Sequence, residues 1–132
     1  MATGVLITTL GKKIAVHRIF TASPTYTAPS CFKVGTGTTT PAIADSDLTT
    51  AITIGGSATK AIVSGYPVLD ETNMNATTRA LILTTECNTN TITEFGFFNT
   101  DATKKMFSHA VFTAISKTSS VQIIFIEKDK VI

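Results

Sequence analysis

The sequence predicts a mainly β fold, an antiparallel β-sandwich of about seven strands with one short N-terminal helix and an extended arm. Three observations predict it. Threonine makes up roughly a fifth of the chain, and only 15% of residues are charged, against about 25% in an ordinary soluble domain. Threonine's branched Cβ packs well on a pleated surface. From Cys31 onward apolar residues recur with a period of two, and the gaps between apolar segments are short and rich in turn residues. Parallel pairing would need crossovers of about a dozen residues or more, so hairpins and meanders are expected, closed as two packed sheets.

A chain of 132 residues, 43% of them hydrophobic, is the size of one domain that folds as a unit. Residues 1–30 are expected to form the helix and arm, and residues 31–132 the sandwich. "TLGKKIAVHRIF", Thr9 to Phe20, has the spacing of a short amphipathic helix. "TASPTYTAPS" breaks it, because Pro24 and Pro29 each remove an amide donor and push the preceding residue out of the helical region. "CFKVG", "TAITIG", "KAIVSGYPV", "NATTRALILTTEC", "TITEFGFFN", "KMFSHAVFTAI" and "SVQIIFIEK" follow as strands. The phenylalanines Phe95, Phe97, Phe98, Phe107, Phe112 and Phe125 lie in the last three and are expected to fill the core. "VQIIFI" is apolar at nearly every position, so its strand is expected to be central, or covered on its outer face by another subunit.

Several function classes are excluded or weakened by the same residues. The net charge of +2 is scattered, with no basic run longer than Lys12-Lys13 or Lys104-Lys105, so no nucleic-acid partner is expected. No apolar stretch reaches the roughly 20 residues of a membrane span. The start "MATGVLITTLGKK" lacks the basic-then-apolar order of a signal peptide, so a chain folded in a cytoplasm is expected and the sequon at Asn75 carries little weight. Cys31 and Cys87 stand far apart without the paired spacing of zinc sites, and two buried thiols are expected rather than a disulfide.

"VGTGTTTPAIADSDL", Val34 to Leu48, invites comparison with a dinucleotide loop, but Thr40 stands where the third glycine belongs and no long helix follows. "GGSATKA" lacks the second glycine and the hydroxyl of a phosphate loop. "DSD", Asp45 to Asp47, lacks the rest of a calcium loop; Asp45 or Ser46 is expected to cap a turn leading to Leu48. His17 and His109 accompany no serine or cysteine in a nucleophile setting, and both are expected at the surface or the core edge. Asp70, Glu71, Glu86 and Glu94 are the acids from which a carboxylate pair of the glycosidase type could be drawn. No catalytic residue, metal ligand or cofactor is assigned, and the chain is not expected to be an enzyme.

The order of these segments resembles a known family. "TTLGKKIAVHRIF", an arm, "FKVGTGTTTPAIADSDLTTAI" and, later, "TEFGFFNTDATKKMFSHAVFTAISKT" are similar to small virion structural proteins of tailed bacteriophages, in particular the N-terminal region of tail-collar and tail-fibre proteins. The matching positions are Gly11-Lys12, Val34 to Gly37, Pro41, Asp45 to Leu48, and the Glu94 to Asn99 hairpin segment. The resemblance implies architecture and setting: a homo-oligomer in the virion, contacting other tail or capsid proteins, with Gly35, Gly37, Pro41, Leu48, Phe95, Gly96 and Phe98 serving structure and assembly. Without a repetitive shaft or receptor-binding tip, the module is expected to join tail parts or attach the fibre. A head decoration (cement) protein and a lectin-like host-surface binding module are the alternatives. Gly35 and Gly37 are expected to turn the backbone with positive φ or to approach another subunit closely, with Pro41 starting a helical step.

Overall fold

The computed structural model describes residues 5–130; residues 1–4 and 131–132, the ends of the two predicted segments, lie outside it. The chain runs β1 (Leu6–Ile7), α1 (Thr9–Phe20), β2 (Pro29–Gly35), β3 (Ala51–Ile52), β4 (Lys60–Ala61), β5 (Val68–Asp70), β6 (Asn75–Ile82), β7 (Thr91–Asn99), β8 (Met106–Ser116) and β9 (Ile123–Lys130). All pairings are antiparallel. The larger sheet has the order β1-β8-β7-β2-β3, with β4 also pairing to β2, and the smaller has the order β5-β6-β9. The fold is mainly β and sandwich-like, as the threonine content and the short gaps predict.

The period of two explains the layers. On β2 and β7, Phe32 stands opposite Phe97 and Val34 opposite Phe95, and these alternate positions face the smaller sheet. They meet Ala80 and Ile82 of β6 and Ile123 of β9. Phe95 stacks between Phe32, at 5.8 Å, and Phe125, at 4.8 Å, which joins the two sheets through their aromatic rings. The intervening residues, Cys31 on β2 and Phe98 on β7, point to the other face of the larger sheet and form a second cluster with Leu48 and Met106.

Helix α1 matches its predicted bounds. Thr8 caps it, accepting from the Gly11 amide at 3.0 Å while its hydroxyl donates to the Met106 carbonyl at 2.6 Å. One side chain therefore starts the helix and fastens it to β8. The arm that follows is tied to its own chain: the Thr27 amide and hydroxyl donate to Asp101, and Arg18 donates to the Tyr26 carbonyl.

The strands differ from expectation at several places: there are nine among the described residues, β1 precedes the helix, β2 begins at Pro29 inside the expected arm, and only Ala51–Ile52 of the expected Thr50–Gly55 segment forms a strand. Lys60 to Val68 is two strands, because the chain turns through Gly65 and a cis Tyr66–Pro67 bond between β4 and β5. β6 ends at Ile82, and a tight turn follows in which Cys87 and Thr89 take positive φ. The buried Lys117 ammonium organises that turn by donating to the Thr84 carbonyl, the Asn88 side chain and the Thr118 carbonyl. A further difference concerns "VQIIFI". The strand buried on both faces is β7, whereas β9 lies at the edge of the smaller sheet with Ile124 and Ile126 exposed. Both cysteines are buried and free, and Asn75 of the sequon is buried where β6 begins.

Candidate functional site

The segment that follows β2, from Thr36 to Leu48, covers the outer face of the larger sheet, and a single acid holds it there. Glu94, on β7, is fully buried. One carboxylate oxygen accepts from the Gly37 amide at 3.1 Å and the Thr50 amide at 2.7 Å; the other accepts from the Thr49 amide at 3.1 Å. His109, on β8 and 1% exposed, places Nε2 3.2 Å from Glu94 and Nδ1 2.7 Å from Asp45. β7 and β8 bring these groups together because Gly96 and His109 are paired in register, two residues along from Glu94. Asp45 in turn accepts from the Ala42 amide at 2.8 Å, and the Thr93 hydroxyl donates to the Gly37 carbonyl at 2.7 Å.

This arrangement explains the glycines differently from the sequence-based expectation. Gly35 and Gly37 do not have positive φ; Gly55, Gly56 and Gly65 do. A Cβ on Gly35 would collide with the Glu94 carboxylate and the Thr50 carbonyl, and one on Gly37 would lie 2.6 Å from Glu94 Oε1 and 2.8 Å from the Thr49 side chain. The close approach that the structure shows is to their own sheet, so neither glycine is there to allow a left-handed turn. Replacing either with valine is expected to destabilise the fold by about 3 kcal/mol, because the atoms met are backbone, a hydrogen-bonded carboxylate or a Cβ fixed to the backbone, none of which can move aside by a side-chain rotation. A chemical denaturation midpoint within error of wild type for both variants would contradict this account.

Leu48 anchors the far end of the segment. It packs with Phe98, Met106 and Cys31, and a Cβ on Gly96 would lie 3.0 Å from its side chain and 2.7 Å from the Phe98 ring. Lys33 spans the edge of this cluster, paired with Asp47 at 2.7 Å and lying 4.8 Å from the centre of the Phe98 ring. Of the predicted structural residues, Gly35, Gly37, Leu48, Gly96 and Phe98 thus meet on one face. Phe95 faces the opposite way, into the core between the sheets. Pro41 is half-buried in a largely exposed stretch and starts no helix; a turn at residues 43–44 follows it.

The electrostatics are those of a clasp. Burial pushes the Asp45 carboxyl up, but the Ala42 amide and His109 outweigh it and hold the group below its ordinary range. The expectation that both histidines lie at the surface or core edge fails for His109, because the segment folds over it. A buried histidine between two buried or half-buried acids offers no reacting atom to a substrate in solution, so the arrangement fastens a loop.

Of the acids considered for a catalytic pair, Asp70, Glu86 and Glu94 are each engaged in a separate place, and Glu71 is exposed next to Asp70. Glu86 binds Lys60 at 2.6 Å, Asp70 accepts from Asn73, and Glu94 is under the segment. The acids in contact are Glu127 and Asp129 on β9, two residues apart and therefore on one face of the strand. Glu127 accepts from the Ser108 hydroxyl at 2.8 Å, and its other oxygen is buried without a partner. Burial and the neighbouring Asp129 push Glu127 up to about 8, and burial raises Asp129 as well. The alternation Glu-x-Asp within a strand is the signal for this pair, and the largely apolar run before it masks that signal by reading as a core strand. Asp129, with Leu69, Met74 and Phe107, lines a groove of about 770 Å³ at this end of the sandwich.

Among the described residues, no group of three or more His, Cys, Asp and Glu side chains gathers as metal ligands do, and no helix is long and apolar enough to cross a membrane. Compared with protein-family models, with curated proteins and with solved structures, the chain matches none.

Proposed function

We propose that this chain is a structural protein of a tailed-phage virion, acting in assembly or attachment at the tail, collar or fibre through subunit contacts. The observation that carries the reading is the outer face of the smaller sheet. Ile126 is 68% exposed and Ile124 is exposed beside it, with Val68 exposed at the opposite edge, on a sheet whose β9 edge pairs with no further strand among the described residues. Apolar side chains next to an open strand edge favour either aggregation or a specific partner. The order of motifs shared with tail-collar and tail-fibre N-terminal regions supports the second. Nothing in such a role needs a reaction centre.

Mass spectrometry of purified particles from the virus that encodes the chain tests this reading. The wild-type protein is expected in the particles. Ile126→Lys is expected to reduce incorporation at least tenfold while leaving the thermal midpoint nearly unchanged, since an exposed site contributes roughly 0.5 kcal/mol or less to stability. Absence of the wild-type protein from particles overturns the proposal.

A further inference from the structure

The groove of about 770 Å³ at the end of the sandwich is built from both sheets. The smaller sheet supplies Leu69 from β5 and Met74 from the turn before β6; the larger supplies Ile7 from β1 and Phe107 from β8, with Val5 just before β1. Leu69 is 68% exposed, Met74 is 60% exposed, and Val5 is exposed as well. Large apolar side chains left open to water and gathered around one concave surface are what a ligand pocket presents.

Beside this apolar lining stand two acids. Glu127 and Asp129 point from β9 toward the larger sheet, where Glu127 accepts from the Ser108 hydroxyl at 2.8 Å; Asp129 is one alternation nearer the end of the strand and lines the groove. The other Glu127 oxygen is buried without a hydrogen-bond partner, in a residue only 4% exposed. A buried polar atom ordinarily has one. Asp129 beside it is another acceptor, so the two carboxyls are satisfied only by a proton or by a donor arriving from the groove. Lys128 and Lys130 alternate with the acids and are exposed, so their ammonium groups belong to the opposite face of β9.

We infer that the groove binds a small aliphatic amine, its apolar chain lying on Leu69, Met74 and Phe107 and its ammonium donating to the carboxyl pair of Asp129 and Glu127. Charge selects this occupant. Burial and Asp129 push Glu127 up to about 8, so at neutral pH the pair holds one proton and one negative charge, which a single ammonium matches. A fatty carboxylate would meet like charge there, and a neutral chain would cover the charge without pairing it. Size selects a small molecule over a protein segment, because the volume lies within the range of single-ligand pockets. The groove lies on the opposite face of β9 from exposed Ile124 and Ile126 and is independent of the virion contacts proposed there.

Titration of hexylamine, hexanol and hexanoate into the full chain at neutral pH, followed by amide chemical shifts, tests this site. Hexylamine is expected to shift Leu69, Met74, Phe107 and Asp129 and to bind about tenfold more tightly than hexanol, with hexanoate shifting none of them. Asp129→Asn is expected to weaken hexylamine about tenfold and leave hexanol unchanged, whereas Leu69→Ser weakens both by removing apolar area the two chains share. Hexylamine that shifts none of these residues, or binds no more tightly than hexanol, overturns the inference; this comparison uses the wild type alone and stands even if Asp129→Asn misfolds. Folded Asp129→Asn that binds hexylamine as the wild type does also overturns it. A lysine side chain of another protein offers the same group, and N-acetyl-lysine amide binding as tightly as hexylamine would assign the groove to that source and overturn the free amine.

Discussion

Glu94→Ala is expected to lower the thermal midpoint by roughly 15 °C, the largest effect of any single truncation outside the aromatic core. The wild-type carboxylate satisfies the amides of Gly37, Thr49 and Thr50 and faces His109 in a site from which water is excluded. Alanine leaves one buried amide, two half-buried amides and the buried His109 without the carboxylate, a loss of about 3–5 kcal/mol. At this chain length each kcal/mol shifts the midpoint by roughly 4 °C. Hydrogen exchange at the Gly37, Thr49 and Thr50 amides is expected to accelerate most, because the segment detaches before the sheets separate. Glu94→Gln should be intermediate, since it keeps the volume and one acceptor but points an NH₂ group at a donor. An alanine variant melting within about 2 °C of wild type would show that the segment is held by Leu48 and the surrounding packing instead.

Alkaline conditions are expected to destabilise the protein through Glu127. Its folded value of about 8 is above its ordinary 4.5, because burial and Asp129 favour the neutral form. The folded state therefore binds more protons than the unfolded chain in that interval. The resulting stabilisation is fully present below about pH 4.5 and is lost as pH rises through about 8, at no more than about 1.4 kcal/mol per pH unit. The lowered carboxyls of Asp45 and Glu86 act in the opposite direction, with stability lost only in acid, as pH falls through their values. Maximum stability is thus expected in mildly acidic solution. Glu127→Gln, which stays neutral and can still accept from Ser108, is expected to flatten the alkaline limb of a plot of melting midpoint against pH. An unchanged slope in that variant would move the effect to another group.

Both expectations rest on acids that the sequence displays but does not distinguish. Glu94 and Glu127 each alternate with apolar residues on a strand, a pattern that ordinarily places a glutamate in solvent. Glu94 is buried because a segment more than forty residues earlier folds back over β7. Glu127 is buried because β9 turns its acid face toward Ser108 of the other sheet. In the same way "VQIIFI" and "TITEFGFFN" are both rich in apolar residues, yet their positions in the sheets differ, edge for one and centre for the other. Strand order is a long-range property, and local periodicity carries no record of it.

What the sequence determined by itself is local. Threonine-rich alternation and short turns specified antiparallel sheets, the period change and Pro24 bounded helix α1 at Thr9–Phe20, and the unpaired cysteine spacing marked two separate thiols. These follow from nearest-neighbour sterics and periodicity, which act within a few residues. Only the tertiary structure decided the rest. Gly35 and Gly37 are required by one carboxylate across the sheet, and His109 is enclosed between Glu94 and Asp45. Val16, Ile19 and Phe20 of α1 face outward, whereas Gly11 and Ile14 pack toward β8. Each of these depends on which distant surfaces meet, and that is settled by the combined packing of the two sheets, not by any one segment.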